Sequence, residues 1–534
     1  MIRSLRSFSR NEGGGVVVLA ALALPVALFA VGSAVDYSRA THLKTRLQDA
    51  TDAATLAAAR MAATASDKEV LDLATQVFRS NISDPTAKID SLKISAGRRK
   101  LEVESSAGSP TMFMGLVGYK QIPVGAFSAS EISDDTYEIA LVMDNSGSMA
   151  SSAGGSSKMQ AAKDAAKKLV DAMMSTQHSA SRTRISIVPF TLAVNVGSQY
   201  ATASWMDRLG LSSIHFENFT LPAGYGGAGL SRFTLFDALN IPWAGCVETR
   251  PGDYATNDAP PDITKPDSFF VPMAAPDEPG NGGQSTYPVP QQGGGSTNWS
   301  YPNSYLNDNG PACVGGDVTS AGEYEKAQKK VCKYVNPSLH TNGGRGPNFS
   351  CNAKPLRRLT NDKSALHAAI NAMAADGNTN LLEGFMWGWR TLSPNAPFGD
   401  GRPYNRPENR KIIILLTDGM NAWNEAKNHN KSVYSPMGYY TNARLGPAPK
   451  NASEARAQMD AKTLAGCTNA KAQGVTVYTV GFSTPRDPID AAGLNLLKKC
   501  ATSPQTAYVA NDSAAIITVF EEIARSIGGL RLTQ

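Results

Sequence analysis

A short polar segment that follows an apolar run constrains the fold of this chain more than any other feature. Residues 137–143 are typical of a buried strand, and Asp144, Ser146 and Ser148 come directly after them. An acid and two hydroxyls at alternate positions, on a turn made permissive by Gly147, can converge on one small cation. Open α/β sheets place their ligand sites at the carboxyl ends of strands. The segment therefore predicts an α/β fold with a cation site at that edge.

Two further segments offer the remaining oxygen donors. A second apolar run, residues 411–416, leads to Asp418, and the turn-rich loop 376–380 between the two runs contains Thr379. The predicted ligands are Asp144, Ser146, Ser148, Thr379 and Asp418. Five oxygens with two carboxylates suit Mg²⁺, which prefers octahedral geometry at about 2.0–2.1 Å and keeps some waters. Donor type alone favours Mg²⁺ and leaves Mn²⁺ and Ca²⁺ open, and one position stays available for water or an incoming carboxylate.

The rest of the C-terminal sequence alternates between strand and helix patterns. Such alternation predicts a mainly parallel sheet with helices on both faces. The predicted strands are residues 137–143, 184–190, 411–416, 475–482 and 507–509. Two predicted helices begin after Ser157 and after Asn380, and the others cover residues 362–375, 453–473, 491–499 and 513–527. Glu383 completes a capping box with Asn380 in this prediction, and a supporting role beside the cation is the alternative for its carboxylate.

The three polar segments resemble the metal-ion-dependent adhesion site (MIDAS) of von Willebrand factor type A (VWA) domains. The D-x-S-x-S, T and D elements of that family fall on the five predicted ligands in the right order. The resemblance implies a Rossmann-like VWA domain that binds a protein carboxylate through a divalent cation. Capped turns are the alternative, because Ser and Asp are common helix N-caps, but three separate loops would then have to mimic the site together.

Composition and motifs argue against several other functions. The 51 basic and 46 acidic residues are interspersed and give a net charge of +5, without the basic stripe that nucleic-acid binding needs. The sequence has no P-loop, no H-E-x-x-H and no G-x-S-x-G motif, and its six histidines lack metal-ligand spacing. We therefore expect neither an enzyme nor a protein with a small-molecule substrate.

The N-terminal sequence predicts a single membrane anchor. Three arginines lie in the leader 1–13, and the uncharged segment 14–35 would span about 33 Å as a helix, which is enough for the hydrocarbon core. The basic leader should stay in the cytoplasm, so the bulk of the chain faces outward. A signal peptide cleaved after the small residues 32–34 is the alternative.

Two regions follow the anchor in the predicted domain organisation. Residues 36–134 continue the helix and then alternate with period two, which indicates a small α+β region. Residues 135–534 form the predicted VWA domain, and the Gly- and Pro-rich segment 196–358 is an insertion in it. If strand 184–190 runs parallel to strand 137–143, the insertion starts at the edge that carries the cation site. It would then shape the rim around the ion, or it is a structural decoration.

The six cysteines predict disulfides in an oxidising compartment. None forms a C-x-x-C pair, which argues against a zinc site, and an even number outside the cytoplasm favours pairing. Cys467 and Cys500 lie around one predicted strand, so we expect them to pair with each other. The other four lie in or beside the insertion and should pair among themselves, with free buried thiols as the alternative.

Segments outside the insertion resemble TadG-like proteins of the bacterial Tad/Flp pilus system. They include the apolar segment 21–35, the Asp36-Tyr37 pair, the Ala-rich segment 47–59, the motif 387–390 and the closing segment 523–532. The resemblance implies an inner-membrane protein with its bulk in the periplasm that supports pilus assembly or adhesion, with pilus or envelope components as partners. Display on the cell surface stays open, as does a structural envelope role in which the metal site is not used.

Overall fold

The computed structural model describes residues 14–62, 65–95, 100–131, 135–220, 230–283, 286–290, 296–313, 321–527 and 531–533. They form two compact units, one from the N-terminal residues and the last few residues, and one from residues 135–527. The basic leader 1–13, predicted to be cytoplasmic, lies outside the described residues.

A single long helix, α1 (Gly14–Ala62), dominates the first unit. Its first part is apolar and exposed, and α1 is long and apolar enough to cross a membrane by length and composition. Its second part buries Leu47 together with alanines at helical spacing, such as Ala50, Ala54 and Ala58. The predicted anchor and the predicted Ala-rich helix are thus one continuous element, because Ala and Leu favour a helix throughout.

The second part of α1 packs with helix α2 (Asp67–Asn81) on a small antiparallel sheet. The sheet has the order β1 (Lys88–Ser95), β2 (Lys100–Pro110), β3 (Gln121–Glu131) and β12 (Arg531–Thr533). Leu532 of β12 is paired with Ser130 of β3. The prediction that the C-terminal domain runs to residue 534 is therefore wrong at its end, since the last strand completes the sheet of the first unit.

The second unit is built on a six-stranded sheet whose order is β11-β10-β9-β4-β5-β8. Five strands are parallel, and β8 pairs antiparallel with β5 at one edge. The strands are β4 (Thr136–Asp144), β5 (Thr183–Phe190), β8 (Arg357–Thr360), β9 (Asn409–Thr417), β10 (Thr476–Phe482) and β11 (Ala507–Ala510). The predicted α/β architecture with a mainly parallel sheet is confirmed, although β8 was not predicted.

Helices cover both faces of this sheet, so its strands are buried on both sides and read as continuous apolar runs. Side chains of β4 alternate, with Leu141 in one core and Val142 in the other. One face is covered by α3 (Lys158–Met173), α7 (Lys363–Ala372) and α11 (Ser513–Ile527). The other is covered by α8 (Leu381–Leu392), α9 (Ala452–Ala472) and α10 (Ala491–Cys500). A short helix, α4 (Gln177–Arg182), precedes β5 and was not predicted.

The insertion leaves the sheet after β5, which runs parallel to β4. It contains α5 (Arg232–Leu239), β6 (Thr286–Pro290), β7 (Ser296–Ser300) and α6 (Ala321–Lys329). Disulfides join Cys246 to Cys351 and Cys313 to Cys332, and a third joins Cys467 to Cys500 across α9 and α10. The predicted pairing of the six cysteines is confirmed.

A second loop-rich segment, residues 418–451, packs on the insertion and was not singled out from the sequence. The two segments share a buried cluster of charged side chains, named here the arginine–glutamate cluster, whose members are Glu217, Arg232, Glu248 and Arg444. Arg444 Nη1 lies 2.7 Å from Glu248 Oε2, and Tyr434 donates a hydrogen bond of 2.6 Å to the other oxygen of Glu248. Polar pairing therefore holds the two segments together in a region with few regular elements.

Candidate metal centre

Backbone hydrogen bonds bring the three predicted loops together at the carboxyl edge of the sheet. The loop after β4 is bonded to the loop before α8, because Gly147 N donates to Gly377 O at 2.8 Å and Asp376 N donates to Asn145 O at 2.8 Å. The loop after β9 joins them, since Ala422 N donates to Thr379 O at 2.9 Å. Segments that are far apart in sequence thus form one rigid edge.

Asp144, the last residue of β4, has both carboxylate oxygens hydrogen-bonded. Oδ2 accepts from Thr417 Oγ1 at 2.6 Å, and Oδ1 accepts from the backbone nitrogen of Ser146 at 2.7 Å. The residue is only 1% exposed. Thr417, which sequence reasoning did not assign a role, fixes the orientation of this carboxylate.

The two serines connect Asp144 to the opposite acid. Ser146 Oγ lies 3.0 Å from Ser148 Oγ, and Ser148 Oγ donates to Asp418 Oδ1 at 2.8 Å. Thr379 lies on the same side, because a methyl group built on Gly419 would be 3.5 Å from Thr379 Oγ1 and 3.8 Å from Ser148 Oγ. The structure therefore brings all five predicted side chains, the candidate metal centre, into one place.

A buried lysine beside this centre was missed by the sequence analysis. Lys158 Nζ lies 2.9 Å from Asp418 Oδ2 and 2.7 Å from Asp487 Oδ2, which belongs to the loop after β10. Lys158 is the first residue of α3, where the helix dipole disfavours a cation. That unfavourable position is the one signal in the sequence for an acidic partner, and it does not say which acid.

Burial changes the proton affinity of both acids in the centre. It raises the pKa of Asp144 to about 7, and the nearby charge of Asp418 adds to this effect. Burial also raises the pKa of Asp418, against the opposing effect of Lys158. The ammonium group of Lys158 is paired with Asp418 and Asp487, so the ionised carboxylate of Asp144 would add an excess of negative charge that a divalent cation would neutralise.

The donors are compatible with a hard cation and with little else. Asp, Ser and Thr offer only oxygen, the donor type of Mg²⁺ and Ca²⁺. Within the described ranges, no group of three or more His, Cys, Asp or Glu side chains is placed to hold a metal. A cation at this edge would therefore depend on the serine and threonine hydroxyls as well as on the two acids.

The residues of the centre and its loops differ in exposure. Asp144, Thr379 and Asp418 are buried, whereas Gly147 and Gly377 are exposed above them. Ser148, which is half-buried, lies between the buried oxygens and this exposed backbone in degree of burial.

Helix α8 links the centre to the insertion. Asn380 caps α8 by accepting from Glu383 N at 3.2 Å, as predicted, but the carboxylate of Glu383 does not complete the capping box. It accepts instead from Thr249 Oγ1 at 2.6 Å and from Trp387 Nε1 at 3.1 Å, and burial raises its pKa. The prediction of a capping box is wrong for this carboxylate because a buried acid finds partners inside the protein rather than at the helix end.

The end of the insertion also lies beside the centre. A Cβ atom built on Gly377 would be 3.5 Å from Asn352 Nδ2, one residue after the disulfide-bonded Cys351. The insertion therefore reaches the loop that carries Thr379, although its effect on partner binding stays a prediction.

Comparisons with known proteins give one family match and several distant structural likenesses. Residues 13–61 match the family model described as putative Flp pilus-assembly TadE/G-like, and no curated protein matches the chain. Three similar solved structures, each 12% identical, are the pilus adhesin SpaC from Lactobacillus rhamnosus GG, the vWF domain of the type V pili tip protein Mfa5 from Porphyromonas gingivalis and the PilB minor pilin from Streptococcus sanguinis.

The structural likenesses are weak in each case. The match to SpaC covers 84% of this chain and 35% of SpaC, with a TM-score of 0.33. The chain therefore spans about a third of the length of SpaC. The match to the Mfa5 domain covers 75% of this chain and 98% of that domain, with a TM-score of 0.32. The match to PilB covers 83% of this chain and 78% of PilB, with a TM-score of 0.33. Similarities at this level do not assign a function.

Proposed function

We propose that this chain is a membrane-anchored, outward-facing protein of the Tad/Flp pilus system whose VWA domain binds a protein partner through a divalent cation. The TadE/G-like match over residues 13–61 supports the pilus context. The partner would offer an Asp or Glu carboxylate and would be a pilus or envelope component. The role is non-catalytic support of pilus assembly or adhesion.

One observation carries the metal-dependent part of this proposal. Three loops that are distant in sequence place five oxygen-bearing side chains at one sheet edge. Of their two buried acids, Asp418 is paired with Lys158, whereas Asp144 accepts hydrogen bonds from Thr417 and from the backbone of Ser146. A buried excess of negative charge is unfavourable unless a cation offsets it. Mg²⁺ fits the donor types best, and Mn²⁺ or Ca²⁺ would satisfy the same oxygens.

The candidate ligands are Asp144, Ser146, Ser148, Thr379 and Asp418. The cation would supply a positive charge that attracts an incoming carboxylate. The chain's own residues prepare the site: Thr417 orients Asp144 through a 2.6 Å hydrogen bond, and Ser148 orients Asp418 through one of 2.8 Å. Preorganised donors lower the cost of ordering the site when the ion binds.

The membrane part of the proposal is supported by α1. Its exposed apolar residues suit a single-pass anchor in the bacterial inner membrane. Three disulfides suit an oxidising compartment such as the periplasm, where the bulk of the chain would lie.

A second candidate function is a structural envelope protein whose metal site is idle. The ion pair between Lys158 and Asp418 favours it, because a buried ammonium already compensates part of the negative charge. In that case the fold would persist without a cation, and partner binding would not depend on the centre.

Thermal unfolding of the full chain in detergent separates the two candidates. With Mg²⁺ or Mn²⁺ instead of EDTA, we expect the wild type to melt at a higher temperature, and Asp144→Ala to lose this shift. Asp164→Ala, which removes an exposed acid on α3, is the matched control and should keep the shift. Equal melting of the wild type with metal and with EDTA would favour the idle site.

Partner binding is tested by affinity capture from solubilised membranes of the source bacterium. We expect a protein that is retained by the wild type in Mg²⁺, released by EDTA and not retained by Asp144→Ala. Retention that is equal in all three conditions would contradict carboxylate binding through the ion.

A further inference from the structure

The loop between β2 and β3, residues 111–120, exposes an unusual amount of apolar surface. Met112 and Tyr119 are each 65% exposed, Leu116 is 79% exposed and Val117 is 57% exposed. Lys120 is the one charged residue of the loop. Contiguous exposed apolar side chains mark a surface that contacts a partner or a membrane.

Hydrogen bonds and a ring contact hold this loop against residues 32–36 of α1. The carboxylate of Asp36 accepts hydrogen bonds from the backbone nitrogens of Met112, Phe113 and Met114 at 3.0, 2.8 and 2.9 Å. The ring of Phe113 lies against Gly32, where an added Cβ atom would be only 2.2 Å from the ring. The loop therefore lies beside the segment of α1 that ends the uncharged stretch.

The apolar surface of the loop continues the apolar surface of α1. Residues such as Val31 and Val35 are exposed on the last turns of the uncharged stretch, and Asp36 is the first acid after it. Tyr37, which follows Asp36 directly, is 70% exposed, and Tyr119 of the loop is also exposed. Tyr and Trp are enriched where a membrane protein crosses the interface between hydrocarbon and water.

We propose that the loop 111–120 inserts into the lipid interface of the leaflet from which α1 emerges. The bilayer is the occupant that the observations favour, because the loop extends the lipid-facing surface of the anchor and is held at its exit by Asp36. Apolar side chains of such interfacial segments enter the headgroup and acyl boundary by about 5–10 Å. This inference rests on the membrane anchoring of α1 in the proposed function, and it adds a second, shallow membrane contact to the first unit.

The inference is tested by lipid quenching of a fluorophore on the full chain in liposomes. All six cysteines form disulfides, so one added cysteine can be labelled selectively under non-reducing conditions. The label is placed on Leu116→Cys in the loop, on Leu24→Cys in the anchor and on Leu71→Cys, an exposed leucine of α2. Liposomes contain phospholipids brominated either near the headgroup or near the chain end.

We expect shallow bromines to quench the label at position 116 more than deep ones, and deep bromines to quench position 24 more than shallow ones. Position 71 should be quenched by neither. If position 24 is quenched and position 116 behaves like position 71, the loop does not enter the membrane, while the anchor stands. If position 24 is not quenched either, the anchoring itself is wrong.

A charged variant gives a second test that does not depend on the label at position 116. Labelled at Tyr119→Cys, the wild-type loop should again be quenched by shallow bromines, and the added substitution Val117→Asp should abolish this quenching while position 24 stays quenched. Shielding of position 119 from aqueous iodide without quenching by either lipid would show a protein contact instead, and would overturn the assignment to lipid.

Discussion

The second unit buries charge in two places, and the two differ in how that charge is balanced. In the arginine–glutamate cluster, two guanidinium groups face two carboxylates, and Tyr434 donates a further hydrogen bond to Glu248. In the candidate metal centre, the single ammonium of Lys158 is paired with Asp418 and Asp487, and the buried carboxylate of Asp144 accepts hydrogen bonds from Thr417 and the backbone of Ser146. The charges of the arginine–glutamate cluster are balanced by its own side chains, whereas the candidate metal centre has more carboxylates than cationic groups.

The contrast indicates what each region can do. A buried set whose charges balance favours one arrangement of its loops and gains little from an added ion. A buried set with an excess of negative charge is costly alone and gains stability from a cation. The insertion and the segment 418–451 therefore supply a rigid frame, and the sheet edge supplies the site.

Breaking the balanced cluster should give the largest effect. Arg232→Met leaves Glu248 with one cation fewer in a buried position, and removal of one partner of a buried pair costs about 3–5 kcal/mol. Urea unfolding of the full chain in detergent should show this loss equally with Mg²⁺ and with EDTA. Arg406→Met, at an exposed arginine, is the control and should change stability little. A loss that Mg²⁺ restores would remove the distinction between the two regions.

Removing one negative charge from the candidate metal centre should affect the stabilisation by metal rather than the stability in EDTA. Asp144→Asn keeps the size of the side chain but removes a desolvated charge, so the stability in EDTA should not fall. The variant should lose the stabilisation by metal, which is about 2.7 kcal/mol for the wild type when the free ion is at about 100 times its Kd. Asp164→Asn is the matched control. A large loss of stability in EDTA would mean that the charge of Asp144 is already balanced.

The pH dependence should also separate the two regions. Because folding raises the pKa of Asp144 to about 7, the folded chain holds a proton between about pH 4 and pH 7 that the unfolded chain has released. Stability in EDTA should therefore fall by about 4 kcal/mol as pH rises through this window, and level off above it.

Urea titrations at several pH values measure this change. Asp144 and Asp418 interact, so one broad transition is expected rather than two separate ones. Asp144→Asn should flatten the fall, and the stabilisation by Mg²⁺ should grow toward the upper end of the window. A wild type whose stability in EDTA rises with pH in this range would contradict the excess of negative charge.

Replacing Lys158 should give the smallest effect on metal binding. In Lys158→Met a bound ion no longer meets the repulsion of the ammonium, so we expect Mn²⁺ to bind about tenfold more tightly, or by about 1.4 kcal/mol, as measured by electron paramagnetic resonance. The stability in EDTA should fall because Asp418 loses its partner. Lys168→Met, at an exposed lysine of α3, is the control. Weaker binding would show that Lys158 positions Asp418 for the ion.

The sequence predicted the parts of this contrast that depend on local pattern. Apolar runs that end in an acid mark the carboxyl ends of strands, which is why Asp144 and Asp418 could be placed at one edge before the structure was known. The pairing of Cys467 with Cys500 followed from their position in the chain, whereas the sequence predicted only that the other four cysteines pair among themselves. Cation binding and partner binding stay predictions.

The parts that were missed depend on contacts between distant segments. Nothing in the spacing of Lys158 or Asp487 shows that they meet, because the loop after β10 approaches α3 only in the folded unit. The same holds for Arg232 and Arg444, which come from two loop-rich segments. The edge strand β8 and the closing strand β12 are short, with four and three residues, so their patterns are too brief to recognise.

The closing strand has a mechanical consequence. Because β12 pairs with β3, the second unit is an insertion in the sequence of the first unit. Two chain segments rather than one therefore connect the two units. A pulling force on the second unit is then divided between the covalent path through β3 and the hydrogen bonds of β12. If β12 peels away from β3, the second unit remains tethered through its covalent connection to β3.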